Sequence, residues 1–291
     1  MKGKMIIVCI TLIVAIVIAA SCSADRPENS GRDDTQSQGD TANQAVQQDD
    51  QNPDGTGKQN EQNPHDAAEE DKEETEVNTD NITINTQSSI RIEGSKIIYS
   101  DPYKRGKAAN DADVVFITHA HYDHYDEPSL RNVVKADTTV VCPASMLSDV
   151  KGMNLGVKEV IGMKAGETED VADGITAEAV PAYNLNKNFH PKSNGWVGYV
   201  ITLDGVRYYA AGDTDALPEL GDVKCDIAFV PVGGTYTMTA SEAAGLVNRI
   251  KPAIAVPIHY GTIVGRAADA DTFRDALDDD IKMVKKVEDA R

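Results

Sequence analysis

The chain has 291 residues, a formal net charge of -19 and 26% charged residues, with a mean hydropathy of -0.37. That length allows one or two domains, and the composition is that of a soluble protein. An acidic balance lacks the basic footprint that phosphate-backbone binding requires, which sets nucleic acid aside as a partner and favours a small-molecule substrate.

The N-terminus departs from this soluble composition. A short basic start, "MKGK", precedes the unbroken apolar run Met5 to Ala20. The order basic, apolar, small is that of an export signal, and the run is short for a span of a ~30 Å hydrocarbon core. Ala19-Ala20-Ser21-Cys22 resembles a lipobox, in which small residues precede a cysteine that becomes lipidated and N-terminal. Residues 1–22 are therefore expected to be a signal peptide or lipoprotein signal, with an uncleaved anchor as the other route. All of these place the remainder outside the cytoplasm, and lipidated Cys22 or the anchor would hold it at the membrane.

Residues 23–81 contain no aromatic residue, leucine, isoleucine or methionine, and carry 17 acids against 4 bases. Such a segment cannot bury enough apolar area to offset its ordering entropy, so a disordered acidic tether is expected. Most of the net charge sits there. The remaining residues, 82–291, are mildly acidic and long enough for a substantial core.

Along 82–291 the elements read in order. "ITINTQSSIRIEGSKIIYSDPY" alternates apolar and polar residues around Glu93-Gly94 and predicts a β-hairpin. "DVVFITH" is a buried strand that stops at histidines. Pro128 opens a helix through about Val134, proline being favoured in the first turn. "TTVVCP", "VKEVIGM" and "ITAEAVPAY" read as strands. "GWVGYVITLDGVRYYAAGDTD" is two strands turned by Asp204-Gly205, and "CDIAFVPVGG" is another strand. Thr239 to Glu242 forms a capping box for a helix, "AIAVPIHYGT" is a last buried strand, and "DADTFRDAL" a last helix. Cys142 and Cys225 lie beside apolar runs, where free buried thiols are expected, a disulfide between them being the alternative in an exported protein. Strands in runs separated by a few helices predict sheets covered by helices on their outer faces.

Three of the six histidines fall between Val114 and Pro128, in "VVFITHAHYDHYDEP". His119 and His121 are two residues apart, so an extended chain points both to one side. Asp123 and His124 follow, and H-x-H-x-D-H thus offers two ligands to one metal and two to a neighbour. His190 and His259 follow loop or strand signals that could converge on the same sheet edge, while His65 lies in the acidic segment. Asp213, just past the strand in "YYAAGDTD", is an acid of the kind that can bridge two cations. Each of these residues alone would be an ordinary hydrogen-bonded loop residue. Together they sit at the ends of apolar segments, where sheet edges collect loops.

This pattern resembles the metallo-β-lactamase fold superfamily, and within it the small stand-alone metal-dependent hydrolases similar to L-ascorbate 6-phosphate lactonase and N-acyl phosphatidylethanolamine phospholipase D. The stretches "AVPAYNLNKNFHPKSNGWVGYVI", "GVRYYAAGDTD", "VPVGGTYTMTASEAA" and "VPIHYGT" extend the resemblance over nearly all of 82–291. It implies an α/β four-layer αβ/βα sandwich with metals at one sheet edge. It also implies His119, His121 and His190 on one metal, Asp123, His124 and His259 on the other, and Asp213 between them. Relatives often carry a histidine in the first hairpin, where this chain has Thr86-Gln87.

Nitrogen and carboxylate ligands without thiolate suit two divalent ions, zinc first, with manganese or iron as alternatives. Two ions about 3.5–4 Å apart would hold a hydroxide and polarise an electrophile. The expected reaction is hydrolysis of an ester-like bond (lactone, carboxylic ester or phosphodiester), with Asp123 as the catalytic residue that orients or shuttles the proton. Tyr183, Asn184, Tyr236 and Trp196 are candidate substrate contacts, each with packing as its ordinary alternative. A di-iron oxidoreductase of this fold would be expected to carry a glutamate where His121 stands and a flavin domain, and a nuclease would need basic surface. A surface lipoprotein that only binds a metal or ligand is the remaining rival, though it would not need the full ligand set.

Overall fold

The computed structural model describes residues 77–287. The expected signal, Cys22, His65 and nearly all of the acidic segment lie outside the described residues. No helix among the described residues is long and apolar enough to cross a membrane.

Two mixed sheets face each other. The first has six strands in spatial order β1 (Ile82–Ile84), β2 (Ile90–Glu93), β3 (Ile97–Ser100), β4 (Val114–Phe116), β5 (Thr139–Pro143) and β6 (Glu159–Met163). Pairing is antiparallel from β1 to β3 and parallel from β3 to β6. The second runs β13 (Lys282–Met283), β12 (Ile254–Ile258), β11 (Ile227–Pro231), β10 (Val206–Ala210), β9 (Val197–Leu203), β8 (Ile175–Pro181) and β7 (Thr168–Ala172). It repeats the same plan: β10 to β13 are parallel and β7 to β10 antiparallel.

Alternation along β4 shows how the layers form. Val114 and Phe116 enter the core between the sheets, while Val115 and the following Ile117 join a second cluster with Leu130, Val133 and Val150 from the covering helices. Those helices are α1 (Glu127–Val133) and α2 (Leu147–Gly152). On the other side, α3 (Ala240–Ile250) and α4 (Ala267–Asp275) pack together and α3 lies on β11. The result is the four-layer α/β sandwich the sequence implied. Between the sheets the rings of Phe116 and Tyr199 lie 5.0 Å apart, and the Tyr199 hydroxyl donates to the Ile117 carbonyl at 3.0 Å. Strands β5, β11 and β12 are buried along their whole length, as parallel strands covered on both faces must be. Each fully buried valine, isoleucine or phenylalanine contributes roughly 1.5–3 kcal/mol, so the strand ends are a rigid platform for loops.

The Asp204-Gly205 turn has φ of +52° and +79°, as a tight hairpin between β9 and β10 requires. The capping box at α3 is present, with Glu242 Oε2 accepting from the Thr239 amide at 2.8 Å. Helix α1 starts at Glu127 rather than Pro128, because Asp126 caps it by accepting from the Ser129 amide at 3.1 Å. Helix α4 likewise starts before the predicted Asp269, at Ala267. Strands β7 and β13 and helix α2 were not legible. β7 is a mostly exposed polar edge strand, and the other two are very short. Cys142 and Cys225 are free, and burial pushes both thiols up to about 12, so neither is a nucleophile at neutral pH.

Candidate metal centre

The carboxyl ends of β3, β4, β10 and β12 deliver Asp101, His119 to His124, Asp213 and His259 to one region. His190 arrives from the loop between β8 and β9. Strand β4 ends at Phe116, three residues before His119, so the two imidazoles of H-x-H do not share a face by strand alternation. They converge from an irregular segment instead, His119 Nε2 lying 3.1 Å from His121 Nδ1. The strand stops early because the Thr118 amide and hydroxyl are both taken by Asp101, at 2.8 and 2.7 Å.

Seven side chains form two adjoining donor groups: His119, His121, His190 and Asp213 in one, and Asp123, His124 and His259 in the other. All are buried except His121, which is half-buried. The Asp213 carboxylate faces both. Its Oδ1 is 3.3 Å from His124 Nε2, and its Oδ2 is 3.3 Å from the Nε2 atoms of His190 and His259. Asp123 Oδ2 lies 3.3 Å from His259 Nε2 and 3.6 Å from His124 Nε2.

Hydrogen bonds behind the rings settle which nitrogen faces inward. Asp101 can only accept, so the Thr118 hydroxyl donates to it and accepts from His119 Nδ1 at 3.0 Å, leaving a lone pair on His119 Nε2. Asp101 also accepts from His124 Nδ1 at 2.7 Å. The Asn184 amide nitrogen donates to Asp215 and to the Tyr236 carbonyl, which turns its oxygen to accept from His190 Nδ1 at 3.1 Å. Such outer partners fix the tautomers of metal-binding histidines.

The residues fit divalent ions on their own chemistry. His124 Nε2, His190 Nε2, His259 Nε2 and Asp213 Oδ1 are buried without a hydrogen-bond partner, an arrangement that costs free energy in a native protein unless something else satisfies them. Two donors about 2.1 Å from one tetrahedral ion would lie roughly 3.4 Å apart, close to the spacings above. Electrostatics agree. Burial opposes the charge on Asp213, but His259, His124 and His190 outweigh it and hold the carboxyl well below the usual range. Burial and the neighbouring imidazoles keep His119 neutral, well below its ordinary value.

Among the four candidate substrate contacts, Tyr236 lines the cavity of about 200 Å³ beside the donor groups, together with Tyr122, Phe189 and Ile263. Tyr183, Asn184 and Trp196 stand behind that wall. The Tyr183 hydroxyl donates to Glu219 Oε1 at 2.5 Å, and Trp196 packs its ring 5.1 and 5.0 Å from those of His119 and His121. Gln87, at the hairpin position where relatives often have histidine, is fully buried, and its carbonyl accepts from the His259 amide at 3.2 Å. Asp101 and Thr118 escaped the sequence reading, because "SDPY" looks like an ordinary strand end and no spacing ties it to H-x-H.

A β-sandwich with helices outside and a histidine–aspartate cluster at one strand edge defines a metal-dependent hydrolase of the metallo-β-lactamase superfamily. The chain belongs to that family: the Beta-lactamase superfamily domain matches residues 80–260. It is 34% identical to a UPF0173 metal-dependent hydrolase of Thermococcus onnurineus, over 68% of this chain and 92% of that one. A Staphylococcus aureus protein described in the same words is 29% identical over 70% of this chain and 96% of its own. Among solved structures, a metal-dependent hydrolase from Parabacteroides distasonis superposes with a TM-score of 0.59 at 32% identity, covering 71% of this chain and 93% of that one. A metallo hydrolase of Ignicoccus hospitalis shares the fold, with a TM-score of 0.58 at 23% identity over 72% of this chain and 94% of its own.

Proposed function

We propose that this hydrolase is binuclear and cleaves an ester-like bond: a lactone, a carboxylic ester or a phosphodiester. One observation carries the reading, namely that the two oxygens of Asp213 face histidines of both donor groups at 3.3 Å. His119, His121 and His190 would hold one ion, Asp123, His124 and His259 the other, with Asp213 shared. Zinc suits this nitrogen and carboxylate set best, manganese or iron next. When bound, the ions supply Lewis acidity toward the electrophile and bring the pKa of a water near 7.

The remaining work falls to the chain. Thr118, Asp101 and Asn184 hold the Nδ1 atoms of His119, His124 and His190, so that the Nε2 atoms of these three rings face inward. Asp123 lines the cavity, and although burial opposes its charge, the neighbouring imidazoles of His259 and His124 lower it below the ordinary carboxylate value. It therefore stands ionised, ready to take a proton from the attacking water and hand it to the leaving oxygen. The test is a panel of lactone, carboxylic-ester and phosphodiester reporters offered to the metal-loaded protein beside Asp123→Asn. One class turned over, and slowed on the order of 100-fold or more in the variant, supports the reading. Metal-loaded protein that turns over none contradicts it.

We further infer that residues 1–22 direct export, that lipidated Cys22 or the apolar run holds the chain at a membrane, and that residues 23–81 space the hydrolase domain 82–291 from it. Support comes from the basic, apolar, small order of the N-terminus and from the acidic composition that follows. Release of the Cys22→Ser protein from the membrane fraction would single out lipidation, whereas retention would point to the anchor.

A further inference from the structure

Four large apolar side chains are exposed among the described residues, and three of them, Tyr122 (63%), Phe189 (46%) and Ile263 (37%), line the cavity beside the donor groups. Exposed apolar surface gathered at one place marks a binding site, whereas scattered residues need no explanation. With Tyr236 they come from four separate loops: Tyr122 between β4 and α1, Phe189 between β8 and β9, Tyr236 between β11 and α3, and Ile263 between β12 and α4. Two aromatic pairs are already formed there. Phe189 meets Tyr236 edge-on with centroids 4.6 Å apart, and Tyr122 meets Tyr103 at 6.0 Å.

What the wall lacks is equally specific. Apart from these four side chains, the lining consists only of His121, Asp123, His190, Asp213 and His259, all members of the donor groups. No lysine, arginine, serine, threonine or amide side chain is among the lining residues, and the only hydroxyls there are those of Tyr122 and Tyr236. Three lysines on the surrounding loops are engaged. Lys187 donates to Asp215 at 2.5 Å, Lys192 to the Tyr183 hydroxyl at 3.0 Å, and Lys104 sits 5.2 Å from the centre of the Tyr103 ring. Sites that transfer phosphoryl groups surround the extra oxygens with cationic clamps, and this one would bring only its ions.

We propose that the substrate is an uncharged carboxylic ester or lactone bearing an apolar acyl or aryl group, which rests on Tyr122, Phe189, Tyr236 and Ile263 while its carbonyl faces the donor groups. This rests on the hydrolase reading above and narrows it. One water is consumed: its oxygen bonds to the acyl carbon, the bond from that carbon to the leaving oxygen breaks, and the leaving oxygen takes the proton.

The metal-loaded full chain is assayed with p-nitrophenyl acetate, butyrate and octanoate, and with bis(p-nitrophenyl) phosphate, which shares their leaving group. Wild type is expected to favour the longer acyl chains over acetate, and all of them over the phosphodiester, by at least tenfold in kcat/KM. Phe189→Ala and Ile263→Ala should each erase about tenfold of the chain-length preference through KM, with metal content unchanged, because a few lost methylene contacts are worth that much. A phosphodiester turned over as well as the esters, or a chain-length preference that survives both substitutions, overturns the proposal while leaving the hydrolase reading intact. If no reporter is cleaved, the hydrolase reading fails and binding of the uncharged amide octananilide, followed through Trp196 fluorescence, decides the apolar seat. Binding weakened about tenfold by Phe189→Ala supports it, and binding that is absent or unchanged overturns it.

Discussion

The imidazole of His124 donates from Nδ1 to Asp101 Oδ2 at 2.7 Å, both side chains being fully buried and 23 positions apart in the chain. The same carboxylate takes the amide and hydroxyl of Thr118, and through that hydroxyl it orients His119. One acid therefore stands behind a histidine of each donor group. Asp101→Ala is expected to lower metal affinity about 10–100-fold at both positions, as loss of an outer partner does. Metal competition with a chelator checks it, and a variant that binds both ions as wild type does would remove Asp101 from the account.

Gly212 precedes Asp213 with φ +65°, and a Cβ placed there would lie 2.9 Å from Cβ of Thr118. The turn that aims the shared carboxylate thus needs both the left-handed conformation and the missing side chain. Gly212→Ala should destabilise the fold by about 1–3 kcal/mol and reduce metal occupancy, measured by thermal unfolding and metal analysis of the same preparation. Unaltered stability and occupancy would show that the turn has more room than its contacts imply.

Trp196 is the sole tryptophan in the sequence and packs against the rings of His119, His121 and His190. Its fluorescence should change saturably as metal is titrated into the metal-free protein, and His121→Ala should weaken that response. A flat titration alongside measured metal uptake would place the ions elsewhere.

Proton release provides another check. In the metal-free protein burial depresses the charge on His124, but Asp213, Asp101 and Asp123 outweigh it and push the imidazole up to about 9. Below that pH a proton sits on Nε2, the atom a metal needs, so binding must expel it. Metal affinity should rise with pH up to about 9, with roughly one proton released by this group near neutrality. Calorimetry in buffers of different ionisation enthalpy reads that number, and zero release would show that His124 is already neutral in the metal-free protein.

Much of this site was legible because its residues lie close together in sequence or at the ends of apolar runs. H-x-H-x-D-H is a local pattern, Asp213 follows the second strand of a hairpin marked by Asp204-Gly205, and His259 follows a continuous apolar strand, Ile254–Ile258, that reads as buried. Asp101 was not legible, since its meaning comes from the parallel pairing of β3 with β4, which sets it beside Thr118. The apolar cavity wall was missed for a related reason: Tyr122, Phe189 and Ile263 are single residues on separate loops, and only the fold brings them together. Among elements, β7 failed to show because an exposed edge strand need not alternate apolar residues.

The central claim is that Asp213 joins two metal sites into one centre, and metal content per chain, wild type beside Asp213→Ala, tests it most directly. Two divalent ions per wild-type chain and at most one in the variant, with hydrolysis abolished, is the predicted result. A single ion in wild type, or two retained without Asp213, would contradict the binuclear account.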